Sequence, residues 1–258
     1  DDIDLGARLQ LAAWYLADRR ILDAALAFEI SAILAGLPPM GFGPPAREAA
    51  SLLAALGDLE RAGPLADMAC AAGVTDLEVL SVAEAWHRAH ENWTAVDELL
   101  GKELFHVGNG PEKDQRREAH LWMERATVRR DRLADEQGAK KALQSVLDLV
   151  PDHPRALQMM REEAQRADTW GALRMALWRA SEVTADKRAH VAFLREIAAV
   201  DADRLSDNKA AQATIDQALN IEPDDVDALV LKASLMVKAG EVDGLTVVME
   251  RLERINHQ

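Results

Sequence analysis

The amino-acid sequence predicts an all-α fold, an α-α superhelix of about 14 helices stacked as helical hairpins. Three observations carry this. The stretch Asp131-Arg132-Leu133-Ala134-Asp135 … Ala139 … Leu147 … Pro151-Asp152 … Ala156-Leu157 recurs 72 residues later as Asp203-Arg204-Leu205-Ser206-Asp207 … Ala211 … Leu219 … Pro223-Asp224 … Ala228-Leu229, with 10 of 27 positions identical and no gap. Asn92-Trp93-Thr94-Ala95-Val96 recurs 77 residues on as Thr169-Trp170-Gly171-Ala172-Leu173, so a full unit is about four helices. Alanine and leucine are abundant, aromatics are only 4 %, and apolar-polar alternation of period two is sustained nowhere, so no strand is expected.

From the start of the chain, residues 5–34 fit one hairpin, with Ala24, Phe28 and Ser31 at a four-then-three spacing on one helix face. Residues 36–45 (Gly36-Leu37-Pro38-Pro39-Met40-Gly41-Phe42-Gly43-Pro44-Pro45) are too rich in Pro and Gly for a helix; they read as a loop offering two apolar contact candidates, Met40 and Phe42. Gly57-Asp58-Leu59-Glu60-Arg61-Ala62, with Ala66 and Ala69 beyond it, is a diverged copy of the segment around Ala139, Leu143 and Val146. The dipeptides Gly57-Asp58, Glu91-Asn92, Ala134-Asp135, Asp168-Thr169, Ser206-Asp207 and Gly240-Glu241 lie between helical runs. Asp, Asn and Thr there can accept from the free amides that open the next helix. Residues 106–111 (His106-Val107-Gly108-Asn109-Gly110-Pro111) read as a second loop. Pro151 and Pro223 close second helices of hairpins, because proline lacks an amide and restricts its predecessor. Since each hairpin packs only on its neighbours, residues 1–258 read as a single elongated domain.

Residues 139–153 and 211–225 resemble the second helix and exit turn of a tetratricopeptide repeat. In each a small residue (Ala139, Ala211) is followed four on by a larger apolar one (Leu143, Ile215), three further by Val146 or Ala218, and five further by Pro151 or Pro223. Small residues let crossing helices approach to about 8–10 Å. The preceding helices, with Ala126 and Ala198 at the crossing position, resemble the family's first helix. The resemblance is closest over residues 118–258, looser over 57–117 and most diverged over 1–56. Proline-ending hairpins alternate with tryptophan-starting ones, as in long arrays common in bacteria with GC-rich genomes, and 22 Arg against 8 Lys agrees with such a source. The resemblance implies a non-enzymatic interaction scaffold or assembly subunit that binds a protein or peptide, alone or within a larger assembly.

One branch of the family holds a terminal carboxylate with Lys and Asn one turn apart on consecutive first helices. The corresponding pairs here, Met123/Thr127, Gln158/Glu162, Arg195/Ala199 and Val230/Ser234, contain no such combination. The groove-facing set expected instead is Met123, Arg130, Arg155, Gln158, Arg195, Val230 and Val237, suited to an amphipathic helix or extended peptide. Simple solvated first-helix positions are the plainer account of the same residues.

A net charge of −14 disfavours nucleic acid and anionic membrane surfaces, and the basic run Arg125, Arg129, Arg130, Arg132 is interleaved with Glu124, Asp131 and Asp135. No apolar run reaches the ~20 residues of a membrane-spanning helix. The single cysteine, Cys70, forms no internal disulfide and reads as a small core residue. The chain begins at Asp1, as a processed protein or a piece of a longer one would, and the cytoplasm is the expected location, with a reduced periplasmic protein looking the same. Glu84, His87 and His90 share a helix face at metal-ligand spacing, but the matching second half-site is missing; a polar helix end running into Asn92 is the plain alternative. A metal-binding helical protein and a regulatory domain of a larger multidomain protein are therefore the competing readings. No phosphate loop, nucleophile elbow or Cys-x-x-Cys pair occurs, so neither an enzyme nor a cofactor is expected. Trp93 and Trp170, equivalent in the repeat, are expected in the core; Trp14 and Trp86 remain open between packing and contact.

Overall fold

The computed structural model describes residues 5–18, 20–34, 43–110 and 114–256. Among them are fourteen helices and no strand: α1 (Leu5–Ala17), α2 (Ile21–Leu34), α3 (Gly43–Ala55), α4 (Leu59–Ala71), α5 (Leu77–Ala89), α6 (Trp93–Asn109), α7 (Gln115–Asp131), α8 (Glu136–Leu149), α9 (Pro154–Ala167), α10 (Trp170–Val183), α11 (Lys187–Asp203), α12 (Asn208–Ile221), α13 (Val226–Ala239) and α14 (Val242–Asn256). Two compact units, residues 1–142 and 143–258, divide the chain within α8. In the first, α1 to α7 pack consecutively, α1 on α2 through α6 on α7; in the second, α9 to α14 do so, α9 on α10 through α13 on α14.

The six interhelical dipeptides share one conformation. Their first residues all have positive φ: Gly57 at 80°, Glu91 at 56°, Ala134 at 52°, Asp168 at 55°, Ser206 at 56° and Gly240 at 75°. This left-handed residue ends one helix, and the next residue opens the following one. Asp58, Asn92, Asp135 and Asp207 accept from the amides of Arg61, Ala95, Gly138 and Ala210 at 3.3, 3.4, 2.9 and 2.9 Å. Thr169 makes no such bond.

Helices take part of both expected loops. Helix α3 begins at Gly43 and takes Pro44 and Pro45 into its first turn, where a missing amide costs nothing. Helix α6 runs through His106, Val107, Gly108 and Asn109, because Val107 is buried against Val96, Leu100, Leu104, Leu121 and Val128. Met40 and Phe42 lie outside the described residues.

Small residues fill the crossings: Ala126 and Ala198 are fully buried, as are Ala62, Ala66, Ala69 and Ala211. Leu53 and Leu80 in the first unit, and Leu173, Leu177, Leu194, Ile197, Ile215 and Leu235 in the second, occupy the spaces between helices. Each such side chain contributes roughly 1.5–3 kcal/mol. Ala24, Phe28 and Ser31 face inward together, which anchors the N-terminal hairpin.

The tryptophans divide into two kinds. Trp93 and Trp170 are half-buried instead of core, because one face of each indole carries an arginine: Arg132 stacks on Trp93 and Arg204 on Trp170, both 4.5 Å from the ring centroid. The stack is a repeated feature of the fold, of a kind that contributes ~0.5–2 kcal/mol. Trp86 packs against α4 at Gly63, where a β-carbon would stand 2.0 Å from the indole. Trp14 is 58 % exposed.

Candidate functional site

Each hairpin contributes a leading helix, and ion pairs tie these leading helices side by side. In the first unit Arg47 of α3 donates to Asp76, the residue that caps α5, at 2.6 Å, and Arg88 of α5 reaches Glu124 of α7 at 3.1 Å. In the second unit Arg161 of α9 donates twice to Glu196 of α11, at 2.6 and 2.7 Å. Arg195 of α11 then meets Asp225, which caps α13, at 3.1 Å, and also Asp227. Lys238 of α13 returns to Asp203 of α11 at 3.0 Å. Two devices therefore recur: an arginine on the cap carboxylate of the next leading helix (Asp76, Asp225), and an arginine on a mid-helix glutamate at one repeat position (Glu124, Glu196).

These pairings decide what the surface can offer. Arg155 and Gln158 on α9 are exposed, and Gln158 bonds Glu162 one turn on at 3.3 Å. Val230 and Val237 on α13 are 54 % and 63 % exposed and, with Val226 at 41 %, form an apolar stripe at spacings of four and seven. The stripe was only partly visible in the sequence, where Val226 looks like a helix-start residue. Arg195 is tied down by two carboxylates. Met123 lies on α7 but is buried, only 2 % exposed, unlike the outward-facing position expected of it. Arg130 pairs with the adjacent Asp131 at 2.7 Å. Met123 and Arg130 belong to the first unit; the other five expected groove residues belong to the second.

The basic run on α7 is consumed within the fold. Asp97 of α6 accepts from Arg125 at 2.9 Å and from Arg129 at 2.7 Å, and Arg132 lies on Trp93. Burial pushes the Asp97 carboxyl up, but the two guanidiniums overcome it and hold Asp97 below the usual carboxylate range.

The metal-ligand spacing on α5 does not assemble a site. Glu84 takes Arg88 at 2.6 Å, the His87 Nε2 faces Asp67 at 2.9 Å, and His90 Nδ1 faces the Trp86 carbonyl at 2.9 Å. Among the described residues no group of three or more His, Cys, Asp or Glu side chains is arranged to hold a metal ion. The signal missed by spacing alone is Glu103 on α6. It is 6 % exposed, and burial first, then the Glu84 charge, pushes its carboxyl up to about 7. Cys70 is buried, and that burial raises its thiol above the ordinary range.

A cleft of about 540 Å³ opens between α4, α5 and α6, lined by Asp67, Met68, His87, Glu98 and Lys102 among others. Its charges are mixed, and no single ligand chemistry converges on it. No helix among the described residues is long and apolar enough to cross a membrane.

No protein-family model matches the chain, and no curated protein matches it. Solved structures do. The structure of Naa15/Naa10 bound to HypK-THB aligns with a TM-score of 0.55 at 16 % identity, over 98 % of this chain and 37 % of the matched one. This chain thus spans well under half of that relative's length. MamA protein aligns with a TM-score of 0.41 at 13 % identity over 67 % of this chain and 88 % of its own. YrrB, described as a TPR protein with an unusual peptide-binding site, aligns with a TM-score of 0.39 at 20 % identity over 73 % and 90 %. The fold shared with the Naa15/Naa10 structure is a series of packed α-helices, consecutive ones paired within each unit.

Proposed function

We propose that the chain is a non-enzymatic interaction scaffold whose second unit binds an apolar-faced helix or extended peptide along the leading helices α9, α11 and α13. The carrying observation is the exposed stripe Val226, Val230, Val237, on a leading helix joined to its neighbours by the Arg161–Glu196 and Arg195–Asp225 pairs. Apolar side chains spaced four and seven apart on one helix are matched by a partner with the same spacing. Arg155 and Gln158 supply the polar margin. The exposed carboxylates near the stripe, Asp227 and Asp203, and the net charge of −14 favour a partner with basic flanks.

Photo-crosslinking side chains placed singly at positions 158, 230 and 237, and as controls at Gln144 and Gln217 on the second helices α8 and α12, test this reading in an extract of the native source. The same partner peptide should be captured from all three test positions and from neither control. Capture from the control positions alone would reject it. Val230→Asp and Val237→Asp should abolish capture with the melting temperature nearly unchanged, since both side chains already face solvent.

A further inference from the structure

The pair α6–α7 in the first unit and the pair α10–α11 in the second are repeat equivalents. Their buried positions match: Val96 with Leu173, Leu100 with Leu177, Ala126 with Ala198, Val128 with Val200. The Trp93–Arg132 and Trp170–Arg204 stacks match as well. One pair of positions is reversed. In the first unit Asp97 of α6 pairs with Arg129 of α7 at 2.7 Å; in the second, the same positions hold Arg174 of α10 and Asp201 of α11, also at 2.7 Å. The carboxylates are the shielded partners, Asp97 at 13 % and Asp201 at 1 % exposed, against 19 % for Arg129 and 35 % for Arg174.

The reversal has a consequence for pairing. Because the apolar patterns coincide, α6 laid on α11, or α10 on α7, would bury an almost unchanged set of side chains. Repeat proteins misassemble by such exchanges, within one chain or between two copies. In the exchanged pairs Asp97 would meet Asp201 and Arg174 would meet Arg129. Like charges brought together away from water are strongly unfavourable, and an unpaired buried carboxylate is worse. Arg125 strengthens the first lock by adding a second guanidinium to Asp97, while its counterpart in the second unit is the fully buried Ile197.

We propose that the reversed ion pair is a register key, which makes α6 accept α7 and α10 accept α11 while rejecting the exchanged partners that the shared apolar pattern would otherwise admit. Either sense brings opposite charges together within its own unit, with well-formed hydrogen bonds at Asp97 and only a charge contact at Asp201, whose oxygens make no hydrogen bond. Discrimination is served only when the two senses differ.

Two variants of the full chain separate this from a purely local role. Asp97→Arg/Arg129→Asp gives the first unit the same sense as the second. It keeps an opposite-charge pair, and Arg125 stands four residues before the new carboxylate, placed to bond it. Asp97→Asn/Arg129→Gln removes the charges and keeps the sizes. After unfolding in urea and dilution at two protein concentrations about tenfold apart, misassembled oligomer is measured by size-exclusion chromatography with light scattering. Native stability is measured by equilibrium unfolding. The reversed variant should be at least as stable as the neutral one, yet give severalfold more oligomer and a larger concentration-dependent slow phase, with wild type lowest. If oligomer instead tracks lost stability, with the neutral variant worst, or if all three refold alike, the key does not exist. If the reversed variant does not reach a native state, the neutral one is compared with Gly63→Ala, a destabilised variant that keeps both pairs: oligomer no higher than in Gly63→Ala overturns the proposal, and an excess over it at the higher concentration supports it.

Discussion

Replacing Gly63 by Ala should destabilise the first unit although alanine is the better helix former. Gly63 is buried in α4, and an added β-carbon would stand 2.0 Å from Cγ, 2.4 Å from Cβ and 2.5 Å from Cδ1 of Trp86. Ordinary carbon contacts lie at about 3.5–4.0 Å. The Trp86 β-carbon is fixed by its own backbone, so turning the ring does not relieve the clash; α5 has to move off α4 by more than an ångström, or the indole has to leave. Overpacking of this kind costs ~1–3 kcal/mol or more. Complete loss of an indole burying ~150–250 Å² bounds the cost at about 4–6 kcal/mol. Taking about 3–4 kcal/mol for the helix shift and subtracting about 1 kcal/mol for the Gly-to-Ala helix propensity leaves a net loss of about 2–3 kcal/mol. Urea unfolding followed by circular dichroism reads this directly. Gly171 in α10 is the control, since no atom lies within 4 Å of its would-be β-carbon, and Gly171→Ala should stabilise by ~0.5–1 kcal/mol. In a Trp86→Ala background the Gly63→Ala cost should shrink by roughly half, with the remaining β-carbon contact accounting for the rest. Wild-type stability in Gly63→Ala would refute the packing argument.

Three further outcomes are expected. Ala134→Gly should raise stability by ~0.5–1 kcal/mol, and Ser206→Gly by a similar amount, because both positions hold β-carbons at φ of 52° and 56° where glycine is unstrained. Thermal unfolding checks this. Ala126→Leu and Ala198→Leu should each cost ~1–3 kcal/mol, whereas Ala213→Leu on the exposed side of α12 should be near neutral; equal effects would mean the helix register is wrong. Glu103 has a raised folded-state pKa of about 7, so the folded protein binds its proton more tightly than the unfolded chain, whose carboxyl titrates near ~4.3. Its contribution is present in full at the acid side of that window and is lost as pH rises through about 7; the melting temperature should fall between pH 5 and 8, and Glu103→Gln should flatten that fall.

Most of the architecture was legible because a repeat constrains the sequence twice. The dipeptides Glu91-Asn92 and Asp168-Thr169 predict the same turn, and the structure gives both first residues φ near 55°. Composition alone over-extends the two loops, because it carries no information on burial. Pro44 and Pro45 read as breakers, yet a first helical turn accepts them. Gly108 and Asn109 read as a turn, yet Val107 holds α6 on its core. The reversed charge pair escaped notice because repeat alignment rewards identity and apolar exchange, and Asp97 against Arg174 looks like an ordinary surface difference until each is seen beside an opposite charge.

The candidate site was half legible for a related reason. Spacing assigns a residue to a helix face, but it does not say how deep that face lies. Met123 and Arg195 occupy one repeat position, 72 residues apart. The structure buries Met123 and leaves Arg195 half-buried, its guanidinium leaning out to Asp225 and Asp227. A position that takes either an apolar side chain or a long cation is a place where the stem is covered and only a charged tip can escape. Val230 and Gln158 form the contrasting case: they share the next repeat position, and both are exposed, the one apolar and the other polar. Exposure is thus set by the position, and the residue placed there sets the chemistry. Among the leading helices of the second unit that chemistry turns apolar on α13, which is why the proposed contact is centred on Val230 and Val237 and not on the residues nearer the start of the repeat.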